Sequence, residues 1–421
     1  MKLKNIILSC FVFCNFILFC FNSSAQSTNS PAHTGADTVA THSLQKTLDS
    51  ISKQKDIIDI AFKITKMKVF VRKPDSIKMK PGKLLISGNP ATGYTIQTGI
   101  TALWTENISF FAGPFNTTNL STINASPEYS IFDHQIILPV VFSIWTKANK
   151  YNFQGDWRFY QYPSYTYGLG GHTSLADRDS INYSYYRIYQ QVVKELFPNF
   201  YAGVGYALDY HYKITDSGNK TDFQSYNDSA TKTVSSGILL NIAYDSRHNN
   251  NNPQGGIFAS VTYRPNFTFL GSDQNWQMLQ FDFRKYFKFP ADSKNIFAIW
   301  SYDWFTFGKA PYLDLPSTAW DTYSNLARGY IQGRLRAPNL LYMEAEYRIS
   351  LTRNGLLGCV VFTNAQAVSE YPSNKFETIL PAFGMGIRFK LNKYSNVNFA
   401  ADYAFGTDGS NGIFFNICEV F

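Results

Sequence analysis

Cysteine is scarce in this 421-residue chain: there are five, and Cys10, Cys14 and Cys20 fall within the first 25 residues. Only Cys359 and Cys418 lie beyond, on separate predicted strands, so a disulfide framework is not expected to organise the fold. Charge is sparse too, at 16% of residues, with a formal net charge of +8. The basic residues are spread among strands and loops without a dense run, which argues against nucleic acid and leaves anionic lipid headgroups as the expected counter-charge. After residue 25 nothing supplies the roughly eighteen consecutive apolar residues of a spanning helix. The six histidines (His33, His42, His134, His172, His211 and His248) are scattered without ligand spacing. No metal or other cofactor is therefore expected. Asp209 and His211 share a strand face, but a hydrolase needs a nucleophile, a base and an acid assembled together, so no enzymatic activity is expected.

What the chain does have is aromatic residues: 36 Phe and 28 Tyr bring the aromatic share to 17%. It also opens on an export signal. Lys2 and Lys4 precede the apolar run Ile6–Phe21, which ends at Ser23-Ser24-Ala25. A basic start, an apolar middle and a small-residue cleavage site describe a secretory signal peptide over residues 1–25. None of the three early cysteines has the small residues before it that lipoprotein processing requires. Residues 26–81 form a leader, polar and flexible up to about Thr41. Leu44, Leu48, Ile51, Ile58 and Phe62 then recur at helical spacings opposite Lys46, Lys53 and Asp56, predicting a short amphipathic helix over Ser43–Ile64. It either lies on the membrane face or serves as a plain linker.

From Lys83 onward the pattern is all strand. Lys83–Gly88 and Tyr94–Trp104 flank Pro90-Ala91-Thr92-Gly93, which reads as a turn. Nine further candidates run to Ile296–Phe307, and five follow a long polar stretch: Leu340–Leu351, Leu356–Val368, Ile379–Leu391, Val397–Tyr403 and Ile413–Phe421. The faces separate cleanly. In Phe200–Tyr212, Val204, Tyr206 and Leu208 oppose Gly203, Gly205 and Asp209; in Phe281–Phe289, Phe281, Phe283 and Phe287 oppose Asp282, Arg284 and Tyr286. Successive side chains alternate sides of a strand, so each has one apolar and one polar face. A large secreted β-sandwich would also alternate. Export, charged inner faces and abundant aromatics favour an all-β, transmembrane antiparallel β-barrel of about sixteen strands over residues 82–421, in the bacterial outer membrane.

The stretch Asn325–Arg348 joins two unlike parts. Ala327-Arg328-Gly329-Tyr330 sits in the loop Gly308–Ala337, long enough to be either functional or disordered. After Pro338, Leu341, Met343 and Ala345 alternate with Tyr342, Glu344, Glu346 and Arg348. A polar lumen is the natural place for that charged face.

These residues resemble the BamA/TamA family of outer-membrane assembly factors, the bacterial surface antigen barrel. Arg328-Gly329-Tyr330, in the loop before the twelfth strand, is similar to the family's Arg-Gly-aromatic loop tip. Pro90–Gly93 resembles its Pro-Glu-Thr-Gly turn, Tyr167-Gly168-Leu169-Gly170 its Tyr-Gly-Ile-Gly segment, and Asp245-Ser246-Arg247 with Pro253 and Gly255 or Gly256 its Asp-x-Arg…Pro-x-Gly hairpin. The resemblance covers residues 82–421. It implies that Arg328 folds back into the lumen onto acidic residues of the wall, Glu346 first and Glu344 second. Phe362–Val368 departs from the family's Phe-x-Asp-x-Gly-x-Val: Asn364 stands for the aspartate, as an expected hydrogen-bond acceptor, and Gln366 for the glycine. No POTRA modules are expected before the barrel. Phe415, Asn416, Ile417 and Phe421 resemble the closing-strand signal by which barrel precursors are recognised, with Phe421 on the face of Phe415 and Ile417. The family's activity is insertion or translocation of proteins or lipids at the outer membrane. It works through a seam where a short first strand, Lys83–Gly88, pairs weakly with the last. Expected partners are membrane lipids and client outer-membrane proteins or subunits of the assembly machinery. Two alternatives stay open: a passive pore or structural barrel, and an accessory subunit of a separate insertase.

Overall fold

The computed structural model describes residues 54–56, 59 and 81–421, apart from 96–98, 115–116, 132–133, 217–222, 227–229, 248, 322–323 and 394–395. The signal peptide and nearly all of the leader, including most of the expected helix, lie outside the described residues.

Strand β1 (Leu85–Thr95) pairs with β2 (Gly99–Phe110). The short segments β3 (Ser121–Ala125) and β4 (Glu128–Ser130) both lie between β2 and β5 (Ile136–Trp145), so they form one interrupted wall strand. In the same way β6 (Asn152–Gln161) and β7 (Ser164–Thr166) share β8 (Asp179–Phe197) as neighbour. β9 (Phe200–Asp216), β10 (Lys232–Asp245), β11 (Gly256–Asn266), β12 (Trp276–Lys288) and β13 (Ile296–Gly308) follow, each antiparallel to the one before. β14 (Asn339–Ser350), β15 (Leu357–Val368), β16 (Leu380–Asn392), β17 (Val397–Phe405) and β18 (Asn411–Ile417) complete the sheet. β18 comes back beside β1, closing a barrel. Counting each interrupted strand once, the eighteen segments make sixteen wall strands, and β14 is the twelfth.

The register places the apolar stripes of β14 to β18 on the outside. Outward Met343 of β14 pairs with Ala365, Val361 with Met385, and Phe383 with Phe405. Met385, Ile417 and Phe383 are each more than 60% exposed. A continuous exposed band of this size is unstable in water and is what a bilayer covers. The polar stripes, with Asp209, Arg264, Glu344, Glu346 and Asp402, point inward and are buried.

Three expectations change. Pro90–Gly93 is not a turn: it lies inside β1 and pairs with Trp104–Thr101 of β2. A proline removes one ladder donor, and an edge strand tolerates this because one of its sides has no partner to satisfy. The first strand is therefore eleven residues long rather than short. The last strand ends at Ile417 rather than Phe421. Cys418 takes a left-handed backbone (φ 86°), and the final residues turn inward, so buried Phe421 does not share the outer face of Phe415 and Ile417. Cys359 and Cys418 are unpaired.

The outward position of Met385, near the middle of β16, sets a test. Met385→Arg is expected to destabilise the folded barrel by about 2–4 kcal/mol, as a charge at the bilayer midplane does. Equilibrium unfolding in lipid vesicles measures it, and an unchanged midpoint would contradict this facing.

Candidate functional site

The described residues of the segment between β13 and β14, 309–321 and 324–338, fold back into the barrel as a plug. A short 3-10 turn (Tyr312–Asp314) and a bridge between Ser317 and Arg336 give it structure of its own. Tyr312, Leu315, Leu335 and Ala337 are fully buried. This burial of apolar side chains inside a polar lumen explains why a long loop stays ordered.

Its tip is held by charge. The guanidinium of Arg328 donates through Nη2 to Glu346 Oε2 at 2.5 Å and to Glu344, and through Nη1 to Asp402 Oδ2 at 2.5 Å. Its face lies over the ring of Phe362, 3.5 Å from the centroid. A planar fork with five donors can serve three carboxylates at once while its flat face rests on the Phe362 ring, a combination that a compact ammonium does not offer. Neighbouring arginines extend the network: Arg348 Nε donates to Glu346 Oε1 at 2.7 Å, and Arg388 donates to Asp402 Oδ1 at 2.5 Å and Glu419 Oε2 at 2.7 Å. Gly329 adopts φ 109°, and a Cβ there would lie 2.9 Å from Ala382 Cβ, so the tip needs glycine twice over. Tyr330 donates its hydroxyl to Pro381 O at 2.6 Å and accepts from the Thr407 amide at 3.0 Å.

The structure thus brings Arg328, Glu344, Glu346 and Asn364 together. Asn364 acts oppositely to expectation: its Nδ2 donates to the backbone carbonyl of Arg328 at 2.9 Å. Gln366 also reaches the loop, accepting from Thr318 Oγ1 at 2.9 Å. Sequence reasoning missed Asp402, Arg388 and Glu419. Asp402 was findable as the acid on the inner face of Val397–Tyr403, whereas Glu419 falls where the chain leaves its strand. Tyr167–Gly170 packs on the base of the loop, with the Gly170 amide donating to Arg336 O at 2.9 Å. In the β10–β11 hairpin Arg247 binds Asp245 through two hydrogen bonds of 2.9 Å.

A second cluster holds the other end of the loop. Asp209 accepts from Arg264, Arg187, Tyr185 and Tyr189. Ser235 bridges to Asp314 of the loop at 2.5 Å. His211 stacks on Tyr185 at 4.3 Å between centroids, and Asp209 is committed to its cations, so the two do not form an acid–base pair. Among the described residues no group of His, Cys, Asp and Glu could hold a metal.

Arg328→Ala would leave three buried carboxylates short of one cation. It is expected to cost about 3–5 kcal/mol of local stability and to release the loop, read as new protease cleavage within 309–338 and a larger single-channel conductance. Unchanged cleavage and conductance would refute the clasp. Asn364→Asp exchanges a donor for a carboxylate facing the carbonyl of Arg328. It is expected to loosen the loop in the same assays, although aspartate is the residue of the family pattern.

No family profile matches the sequence, and no curated protein matches it. Solved structures do. BamA from Haemophilus ducreyi lacking POTRA domains 1–3 matches with a TM-score of 0.53 at 14% identity, over 79% of this chain and 69% of that one. CdiB from Acinetobacter baumannii matches with a TM-score of 0.53 at 13% identity, and CdiB from Escherichia coli with 0.51 at 9%. Each of these also covers 79% of this chain, which spans 59% and 62% of the respective CdiB chains. At such identities the likeness is one of fold: this chain has a β-barrel of the kind seen in these structures.

Proposed function

We propose that the protein is an outer-membrane barrel that assists insertion or translocation of proteins, or of lipids, through the seam between its first and last strands. The observation carrying this reading is the seam itself. Every other pair of neighbouring wall strands is joined by a hydrogen-bonded ladder, whereas β1 and β18 lie side by side with no ladder among the described residues. Two edges that face each other without a ladder are a template for an incoming strand, and separating them breaks no ladder among the described residues. The likeness to BamA and CdiB barrels supports the same reading at the level of fold. Because the loop folds into the lumen and is fastened there at both ends, the wall rather than the pore is the route this geometry favours over passive diffusion. No catalytic step is assigned.

A crosslink tests it. Leu85 turns inward and Ile417 outward, so the outward pair Ile86 and Ile417 is the better choice. In a protein with Cys359 and Cys418 changed to serine, Ile86→Cys with Ile417→Cys is expected to abolish client-barrel assembly in proteoliposomes when oxidised and to restore it on reduction. A crosslinked protein that assembles clients at the reduced rate would sink the seam mechanism.

A further inference from the structure

At the end of the barrel where the leader residues dock, the lumen opens into a vestibule of about 850 Å³. Its wall is basic. Lys288, Lys294, Arg353, Lys390 and Lys393 come from the ends and turns of β12 to β16, while Arg348 and Arg388 form the floor, already committed to Glu346, Asp402 and Glu419. Glu419 is the one acid among the described lining residues. Among the described residues, Lys288, Lys294, Arg353 and Lys390 take part in no ion pair, and Lys390 is 7% exposed with its ammonium on Asn396. A buried ammonium beside further cations is costly until an anion joins it.

The chain shows which chemistry the rim accepts. Asp59 Oδ2 of the leader lies 2.7 Å from Lys393 Nζ, and the Lys393 amide donates to Asp56 Oδ2 at 3.1 Å. Beside them the Lys55 amide donates to Asn354 O at 3.0 Å, a main-chain contact of the kind any peptide could make. Deeper in, the side-chain amides of Asn249, Asn252, Gln254 and Asn398 line the cavity, each able to donate to and accept from peptide groups. We propose that this vestibule is a receptor for acidic polypeptide segments, and that Asp56 and Asp59 form a tethered competitor at its rim. Charge attracts the segment, the amides bind its backbone, and the leader must yield the rim for full occupancy. The site does not depend on the seam: a barrel that binds the peptide yet assembles no clients would retain it.

The test is fluorescence anisotropy with the full-length mature protein in detergent and a short fluorescein-labelled peptide of alternating glutamate and serine. Binding is expected, weakening as salt is raised. Lys288→Gln with Arg353→Gln and Lys390→Gln is expected to weaken it by about tenfold, and Asp56→Asn with Asp59→Asn to tighten it several-fold. Circular dichroism and heat-shifted gel mobility confirm that each variant keeps its barrel. No binding by the Asp56→Asn, Asp59→Asn protein would overturn the proposal. So would equal affinity in the three-site variant, or equal binding of a lysine–serine peptide. Displacement of the peptide by millimolar inorganic phosphate would overturn it in favour of a simple anion site.

Discussion

The structure depends on one constraint: the Arg328 charge, once inside the barrel, must be matched. Three arginines (Arg328, Arg348 and Arg388) and four carboxylates (Glu344, Glu346, Asp402 and Glu419) interlock in the lumen, all less than 10% exposed. Removing charges from water is expensive, and only dense pairing with good geometry returns that cost. The network therefore acts less as a source of stability than as a specifier. It has few arrangements of comparable energy, so it fixes where the loop tip, β14, β16, β17 and the chain's end sit relative to each other. Gly386 makes room for it, since a Cβ there would lie 1.7 Å from Asp402 Oδ1.

The loop is fastened at both ends by different means. At its tip the fastening is ionic. Near its start it is mixed, with Asp314 on Ser235, Tyr312 against Thr166, and Arg336 donating to Tyr312 O. Between them Tyr312 and Leu315 exclude water. The plug divides the lumen into separate spaces, one of about 480 Å³ beside Arg187, Tyr189, Gln280 and Trp320, and the basic vestibule of about 850 Å³. The arginine network forms part of the vestibule floor, so the groups that lock the loop also set the charge that an approaching molecule meets.

Much of this was legible in the sequence, for a physical reason. Alternation is a local signal of period two, and an exposed apolar band forces it on every strand, so the number of wall strands, their faces and the inward direction of Glu344 and Glu346 could be read residue by residue. What escaped notice was non-local. Asp402 of β17 meets the loop residue Arg328 from 74 residues away in sequence, and nothing near it distinguishes it from any lumen acid. Pro90–Gly93 has the composition of a turn, and a strand with no ladder on its far side among the described residues tolerates proline and glycine there. Asn364 looked like a weakened carboxylate because its partner was taken to be a side chain. Its partner is a backbone carbonyl, which needs a donor.

The end of β18 joins the seam to this network. Along Asn411–Ile417 the strand is laddered to β17, and no ladder joins it to β1 among the described residues. The next four residues are held far more firmly. Glu419 pairs with Arg388 at 2.7 Å, Val420 O accepts from Asn325 Nδ2 at 2.6 Å, and Phe421 stacks on Trp300 at 5.2 Å while its carbonyl accepts from Arg348 at 2.8 Å. Withdrawing that tail would strand Arg388 and Arg348 short of partners and expose a buried ring, whereas no ladder among the described residues holds β18 to β1. The two ends of one short strand thus face barriers of different origin. The left-handed residue Cys418 marks where the lightly held part gives way to the anchored one. Because that anchor is the same arginine network that grips Arg328, the loop and the closing strand have a common fixed point.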